Sequence, residues 1–180
     1  KVVYLEGYLF DKDEAKSAFR QAAKLAKDSG AKVALSLSDP FCVDRHRDDF
    51  RALVKDGADI VFANENEITS LYETNTFLEA ADAALQDCEM AVLTRSEAGS
   101  LIVGGGETTE SAAEPVSEVV DATGAGDLYA AGFLFGLTKG LPIADCGRLG
   151  SLAAAEAISH IGARPETNLV ELAKNRGLLS

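Results

Sequence analysis

Residues 121–133 read DATGAGDLYAAGF and follow a strand-like run at 118–120. The run of small residues after the turn predicts a helix over about 125–139. Two glycines, Gly124 and Gly126, let the backbone turn tightly and approach a ligand without a Cβ in the way. The stretch therefore predicts a strand–turn–helix unit of an α/β fold whose turn can bind an anion.

The chemistry of this turn depends on the start of the predicted helix. The first N–H groups of a helix have no intrahelical acceptor, and here they point to where a phosphoryl oxygen could lie. Asp127 stands in the first turn, where its carboxylate can contact whatever the amides hold. The structural alternative is a tight turn in which Asp127 only interacts with the helix dipole. The acid, the glycines and the small residues occur together, which favours the functional interpretation.

The stretch resembles the signature of the ribokinase-like (pfkB) carbohydrate kinases, DTxGAGD followed by a small-residue helix. The resemblance implies an enzyme that uses ATP and Mg²⁺ to phosphorylate a hydroxymethyl group of a sugar or nucleoside. It implies that Asp127 is the catalytic base. The amides of Ala125, Gly126 and Asp127, which follow Gly124, would form the anion hole. Ala122 stands where the family more often has threonine.

Further residues are carried over as nucleotide contacts. Thr123 lies inside the signature, and residues 94–99 (TRSEAG) resemble the family's T-x-G-x-x-G nucleotide loop without its first glycine. Thr94 and Gly99 are the matching positions. Arg95 either pairs with ATP phosphates or lies on the surface. The resemblance also implies a monovalent cation, K⁺, as a further cofactor.

A second nucleotide region is implied near the end of the chain. Residues 153–162 (AAAEAISHIG) resemble the helix and turn that border the adenine in the family. His160 and Gly162 are the residues carried over. The pattern also predicts an amphipathic core helix with Gly162 as its C-cap, and a His160 that only packs.

Asn64 and Glu67 follow a predicted strand over 59–63 and open a helix. Asn followed three residues later by Glu is a capping box, which spacing alone favours. The same N-x-x-E pattern recurs in the resembled family, where it is associated with placing Mg²⁺ and the phosphates. One pair can do both, because Mg²⁺ keeps several waters and takes few direct protein ligands. The resemblance therefore implies that Asn64 and Glu67 order metal-bound water.

Strand and helix patterns alternate along the 180 residues. Such alternation predicts a parallel sheet covered by helices on both faces, and the resemblance implies a mostly parallel, three-layer αβα ribokinase-like fold. We predict a single domain over 1–180. Ligands of such sheets bind beyond the carboxyl ends of the strands, where Asn64, Thr94 and Asp121 are expected. The glycine run at 104–106 predicts antiparallel edge pieces. Other predicted helices span about 13–28, 44–55, 65–73, 76–86, 143–161 and 166–178.

Composition excludes several partners. The formal net charge is −12, and the chain lacks the concentration of Lys and Arg that nucleic-acid binding needs. No apolar run approaches the ~18 residues of a membrane span, and no signal peptide is visible. Cys42, Cys88 and Cys146 show no metal-binding spacing with His46 or His160. They indicate reduced cysteines of a cytoplasmic protein.

The resemblance matches only the carboxyl-terminal part of a family member. The family's amino-terminal glycine pair, substrate-binding acid and β-sheet lid have no counterpart, and the chain begins in a strand-like run without an initiator Met, which indicates a fragment. Residues 36–41 (SLSDPF) resemble the NLSAPF stretch of adenosine kinases, although Ser36 replaces the asparagine. An adenosine-like nucleoside or a sugar is therefore the expected acceptor, and a homodimer is expected of the full-length protein.

The sequence disfavours two other enzyme classes. A dinucleotide-dependent oxidoreductase needs a third glycine after Gly124 and Gly126, which is not at the right place. A P-loop kinase needs G-x-x-x-x-G-K-[ST], which the sequence lacks. The alternative that stays open is a catalytically silent nucleotide-binding or regulatory module of the same fold. The intact Asp127 argues against it, whereas the missing lid argues for inactivity of the fragment alone.

Overall fold

The computed structural model describes residues 1–179 and contains a six-stranded sheet with seven α-helices. The strands lie side by side in sequence order. They are β1 (Val2–Glu6), β2 (Lys32–Ser36), β3 (Ile60–Asn64), β4 (Met90–Thr94), β5 (Ser100–Gly104) and β6 (Glu107–Ser111). The helices are α1 (Asp13–Asp28), α2 (Pro40–Asp56), α3 (Glu65–Tyr72), α4 (Phe77–Asp87), α5 (Ala125–Thr138), α6 (Ile143–Ile158) and α7 (Leu169–Asn175).

The first four strands pair in parallel, as the alternation predicts. The central residues of β2, β3 and β4 are buried apolar side chains, which is typical of strands covered on both faces. In the register of β3 and β4, Asn64 is the Cα partner of Thr94, so the carboxyl ends of these strands are level. The β5–β6 connection is the pair Gly105 and Gly106, both with positive φ, as in a two-residue hairpin turn.

The chain divides into two compact units. Unit 1 comprises residues 1–94 and 103–108, and unit 2 comprises residues 95–102 and 109–180. Unit 1 holds β1 to β4 and α1 to α4, and an aromatic cluster fixes α1 and α2. Phe10 stacks on Phe50 with ring centroids 4.6 Å apart and meets Phe19 edge-on at 4.9 Å.

Unit 2 is built on the close approach of α5 and α6. A Cβ on Gly132 would lie 2.4 Å from the carbonyl oxygen of Leu149, and one on Gly150 would lie 2.8 Å from that of Tyr129. Glycine at both positions therefore lets the two backbones touch. The hydroxyl of Tyr129 forms a buried 2.6 Å hydrogen bond with Ser100, which ties α5 to β5 inside the unit.

Several predicted boundaries are wrong. The run at 118–120 is not a strand, because the Val120 N–H donates to the carbonyl of Ile158 at 2.8 Å instead of to a neighbouring strand. Helix α2 begins at Pro40, earlier than predicted, because Asp39 accepts two N–H groups of its first turn. Helix α6 ends at Ile158 and α7 spans only Leu169–Asn175.

Two further observations concern the cysteines and the helices. The three cysteines carry free thiols, with Cys42 and Cys146 buried. Within residues 1–179, no helix combines the length and the hydropathy that crossing a membrane requires.

Candidate functional site

The DATGAGD stretch forms a turn followed by α5, as predicted. Gly124 precedes the helix with φ +79°, in the left-handed region that favours glycine. A Cβ at this position would lie 2.6 Å from the Cβ of Ala163. Conformation and packing therefore both require glycine at 124.

The start of α5 leaves two donors open. The Ala125 N–H donates to Ala122 at 3.2 Å, and the Leu128 N–H donates to Gly124 at 2.9 Å. Between them, the N–H groups of Gly126 and Asp127 have no acceptor in the described part of the chain, and α5 has no side-chain cap. These two amides stand where an anion binds a helix N-terminus.

The first turn of α5 is exposed at Gly126 and Asp127. A Cβ built on Gly126 meets no heavy atom within 4 Å, in contrast to one on Gly124. Asp127 is exposed and lies in the same first turn. An anion held by the amides therefore has an accessible carboxylate next to it.

Asp121 ties this turn together; it was expected at the ligand-binding edge of the sheet, but the sequence assigned it no role. One carboxylate oxygen accepts the Thr123 N–H at 2.9 Å and the Thr123 hydroxyl at 2.6 Å. The other accepts the Gly162 N–H at 2.9 Å. The bonds from Thr123 and Gly162 lower the pKa of Asp121 to about 2, so it is ionised at neutral pH. The Asp-x-Thr spacing, an Asx-turn pattern, is the sequence signal that could have found it.

The predicted adenine-bordering residues lie in the connection between α6 and α7. Ser159, not Gly162, is the C-cap of α6, so the predicted glycine C-cap is wrong. Gly162 has φ +100° and uses its N–H to hold Asp121. His160 lies between two carboxylates, 3.3 Å from Glu156 and 4.0 Å from Glu166. The hydrogen bond to Glu156 raises the pKa of His160 above its usual value.

In unit 1, Asn64 and Glu67 form the predicted capping box. The Asn64 side-chain oxygen accepts the Glu67 N–H at 2.9 Å, and the Glu67 carboxylate accepts the Asn64 N–H at 2.9 Å. A third bond runs from the Asn64 side-chain amide to Glu67 at 2.6 Å. The Glu67 residue is only 6% exposed, and this burial raises its pKa to about 7. The carboxylate therefore changes charge near neutral pH.

Other acids surround Glu67 at the carboxyl ends of β1 to β3. The charges of Asp39 and Glu6 add to the rise in its pKa, and the Ser38 hydroxyl donates to Glu6. Sequence reasoning assigned no role to Glu6 or Asp39. Within residues 1–179, no three His, Cys, Asp or Glu side chains are grouped to hold a metal ion directly. The chemistry of the Asn64–Glu67 pair fits the ordering of metal-bound water better than an all-protein metal cage.

The predicted nucleotide loop is divided between the units. Thr94 ends β4 in unit 1, beside its Cα partner Asn64. In unit 2, Gly99 is buried with φ +82°, and a Cβ there would lie 2.1 Å from the Ser111 carbonyl. Its carbonyl accepts the Arg95 N–H at 2.7 Å. The positive φ and the close approach of Ser111 therefore explain why residue 99 is glycine. The nucleotide roles of Thr94, Arg95 and Gly99 stay predictions.

Comparison with known proteins gives one consistent result. The family described as pfkB family carbohydrate kinase matches residues 1–168. The crystal structure of a probable sugar kinase from Rhizobium etli CFN 42 has a TM-score of 0.97 at 49% identity, covering 99% of this chain and 55% of that one. The adenosine kinase from Sinorhizobium meliloti has a TM-score of 0.95 at 48% identity, covering 98% and 54%.

A more distant structure shares the fold alone. An Escherichia coli protein assigned as ribokinase II, solved in complex with ATP and Mg²⁺, has a TM-score of 0.87 at 20% identity, covering 98% of this chain and 58% of that one. The chain spans about half the length of the relatives it matches. The predicted ribokinase-like fold is confirmed.

Proposed function

Because the chain belongs to the pfkB family of carbohydrate kinases, we propose that it acts in phosphoryl transfer from ATP to a hydroxymethyl group. The observation that carries this proposal is the open start of α5. Within residues 1–179, the N–H groups of Gly126 and Asp127 have no acceptor, and the exposed Asp127 side chain belongs to the same first turn. Donors for a phosphoryl oxygen and a base for an alcohol thus come from one helical turn.

Each group has a distinct part in the proposed reaction. The amides stabilise negative charge on the transferring phosphoryl group, and such preorganised donors are worth on the order of 3 kcal/mol each. Asp127 orients the acceptor hydroxyl and takes its proton. A carboxylate with a reference pKa of ~3.9 is a weak base for an alcohol. The loose transition state of phosphoryl transfer makes orientation more important than basicity.

The Asn64–Glu67 pair is proposed to serve Mg²⁺. The family's metal neutralises charge on the phosphates when it is bound. Glu67 offers a buried oxygen ligand whose pKa lies near 7, so a nearby cation would favour its charged form. Thr94, Arg95, Gly99, Thr123, His160 and Gly162 are proposed as nucleotide-side residues. K⁺ is proposed from the family resemblance as a further cofactor, to be tested by replacing KCl with a K⁺-free salt.

The proposed acceptor is a nucleoside of the adenosine type. The SLSDPF stretch at 36–41 and the 48% identity to the Sinorhizobium meliloti adenosine kinase support this choice. The 49% identity to a probable sugar kinase keeps sugars in the test. A cytoplasmic location and a homodimer of the full-length protein belong to the same proposal.

The decisive experiment measures ADP release by the full-length natural protein with adenosine, cytidine, ribose and fructose. Asp127→Asn should reduce acceptor-dependent release at least about 100-fold, because a positioned base contributes that much or more. Mg·ATP binding should persist. Asp145→Asn is the matched control, since Asp145 also lies in the first turn of a unit 2 helix and pairs with Arg148.

Two results would contradict the proposal. If the Asp127→Asn variant is as active as the Asp145→Asn control, Asp127 is not the catalytic base. Tight Mg·ATP binding without turnover on any acceptor would instead identify a silent nucleotide-binding module.

A further inference from the structure

Glu156, near the end of α6, is a hydrogen-bond hub away from the signature turn. Its side chain is only 6% exposed. One carboxylate oxygen accepts the N–H groups of Glu166 and Thr167, each at 2.9 Å, and the Thr167 hydroxyl at 3.0 Å. The other oxygen lies 3.3 Å from the His160 ring. Burial would raise the pKa of this carboxyl, but the bonds from Thr167, His160 and Glu166 outweigh it and lower the pKa.

These bonds fix both ends of the segment 159–168, which joins α6 to α7 and which we call the connecting segment. It contains no helix or strand, so its backbone has no ladder of its own. His160 lies near its start, and Glu166 and Thr167 lie near its end. The Glu156 carboxylate of α6 therefore fixes the backbone of the connecting segment near both of its ends.

The middle of the connecting segment contacts the signature turn. The Gly162 N–H donates to Asp121 at 2.9 Å, and Ala163 packs at the place where Gly124 has no Cβ. Asp121 in turn holds Thr123 through two hydrogen bonds. A continuous set of contacts inside unit 2 thus leads from Glu156 to the turn that presents the open amides.

We propose that Glu156 is a positioning residue for phosphoryl transfer, acting through the connecting segment to fix the signature turn. The inference rests on the proposed function of that turn. Within residues 1–179, the Glu156 side chain forms no hydrogen bond or ion pair with residues 121–128, and the proposed effect passes through Gly162 and Ala163. Helix α6 also holds the approach to the turn directly, because the Ile158 carbonyl accepts the Val120 N–H. A displacement of about 1 Å at a reacting centre can reduce a rate about 100-fold, which makes such indirect positioning measurable.

The test uses the full-length protein with Glu156→Ala, Glu156→Gln and the control Glu171→Ala. Glu171 is an exposed acid in the first turn of α7, and its side chain forms no hydrogen bond or ion pair within residues 1–179. Within 122–128, hydrogen exchange of the hydrogen-bonded amides of Thr123, Ala125 and Leu128 should be about tenfold faster in Glu156→Ala, and kcat should fall about tenfold or more. The acceptor KM should stay within about twofold, because Glu156 is not placed to touch the acceptor. Glu156→Gln keeps an acceptor oxygen for Thr167 and should restore most of both values.

Unchanged exchange at 122–128 in a folded Glu156→Ala variant, or a kcat equal to that of Glu171→Ala, would overturn the inference. If Glu156→Ala does not fold, Thr167→Val removes only the hydroxyl bond and should accelerate the same exchange about twofold to threefold; no change there also overturns it. A wild-type protein that transfers no phosphoryl group refutes the proposed function instead. The exchange rates then still decide whether Glu156 orders the turn.

Discussion

Helices α3 and α5 begin in opposite ways. At the start of α3, Asn64 and Glu67 close the first turn with their own side chains, and the Glu67 carboxylate is buried. At the start of α5, Gly124 offers no side chain, and the amides of Gly126 and Asp127 stay open. A side-chain cap normally stabilises a helix N-terminus. Helix α3 has this stabilisation, and α5 lacks it.

This difference indicates that the first turn of α5 serves binding, whereas the stability of that helix comes from the rest of its length. Helix α5 tolerates an uncapped start because its length packs closely on α6 through Gly132 and Gly150. Its first turn is therefore free to bind an anion. Helix α3 is capped by its own residues, and burial raises the pKa of its Glu67 carboxyl to about 7.

The largest expected effect comes from the two glycines at the open N-terminus. Gly126→Ala should leave the free energy of unfolding nearly unchanged, because a Cβ there meets no protein atom. It should reduce phosphoryl transfer about 100-fold, since the added methyl group on the exposed first turn would crowd a phosphoryl group bound there. Gly124→Ala should instead destabilise the protein by about 3 kcal/mol, from the positive φ and the contact with Ala163.

Urea denaturation and ADP release measure these two outcomes separately. If Gly126→Ala keeps wild-type activity, or if Gly124→Ala is as stable as the wild type, the open and packed sides of the turn have been assigned wrongly.

Local sequence signals predicted the two helix starts well. The Asn-x-x-Glu spacing gave the α3 capping box, and the glycine pair with its small residues gave the start of α5 at Ala125. Each of these features depends on residues within one turn of one another. Local chemistry decides such geometry, so one sequence suffices to predict it.

The start of α2 was missed although its cap, Asp39, is local. Two other failures involve partners far apart in the chain. The run at 118–120 has strand-like residues, but Val120 donates to Ile158, which no local pattern reveals. Gly162 was predicted as a helix cap, whereas its N–H serves Asp121, 41 positions away. The hub at Glu156 was missed for a different reason: its partners, 4 to 11 positions away, lie in a segment without periodicity.

A smaller effect separates capping from metal chemistry at α3. Helix α4 begins with a second capping box, Thr76 and Glu79, whose residues are exposed. Thr76→Ala should cost about 1 kcal/mol and leave the Mg²⁺ dependence of transfer unchanged. Asn64→Ala should cost about 2 kcal/mol, because it also removes a bond to the buried Glu67.

Only Asn64→Ala should raise the Mg²⁺ concentration for half-maximal rate, by several fold. Denaturation curves and Mg²⁺ titrations of both variants test this pair. If the two variants need the same Mg²⁺ concentration for half-maximal rate, Asn64 acts only as a helix cap.

The smallest expected effect is the titration of His160 beside Glu156. Its pKa is raised in the folded protein, so its pairing stabilises the fold fully below the unfolded value near 6.5 and is lost as pH rises through the folded pKa. Glu156→Gln removes the charge and should lower the pKa of His160 towards that value, flattening the pH dependence of stability in this window. NMR titration of the His160 ring in Glu156→Gln and in the control Glu171→Gln measures the shift. An unchanged His160 titration in Glu156→Gln would mean that Glu166, 4.0 Å from the other ring nitrogen, is the acid that sets it.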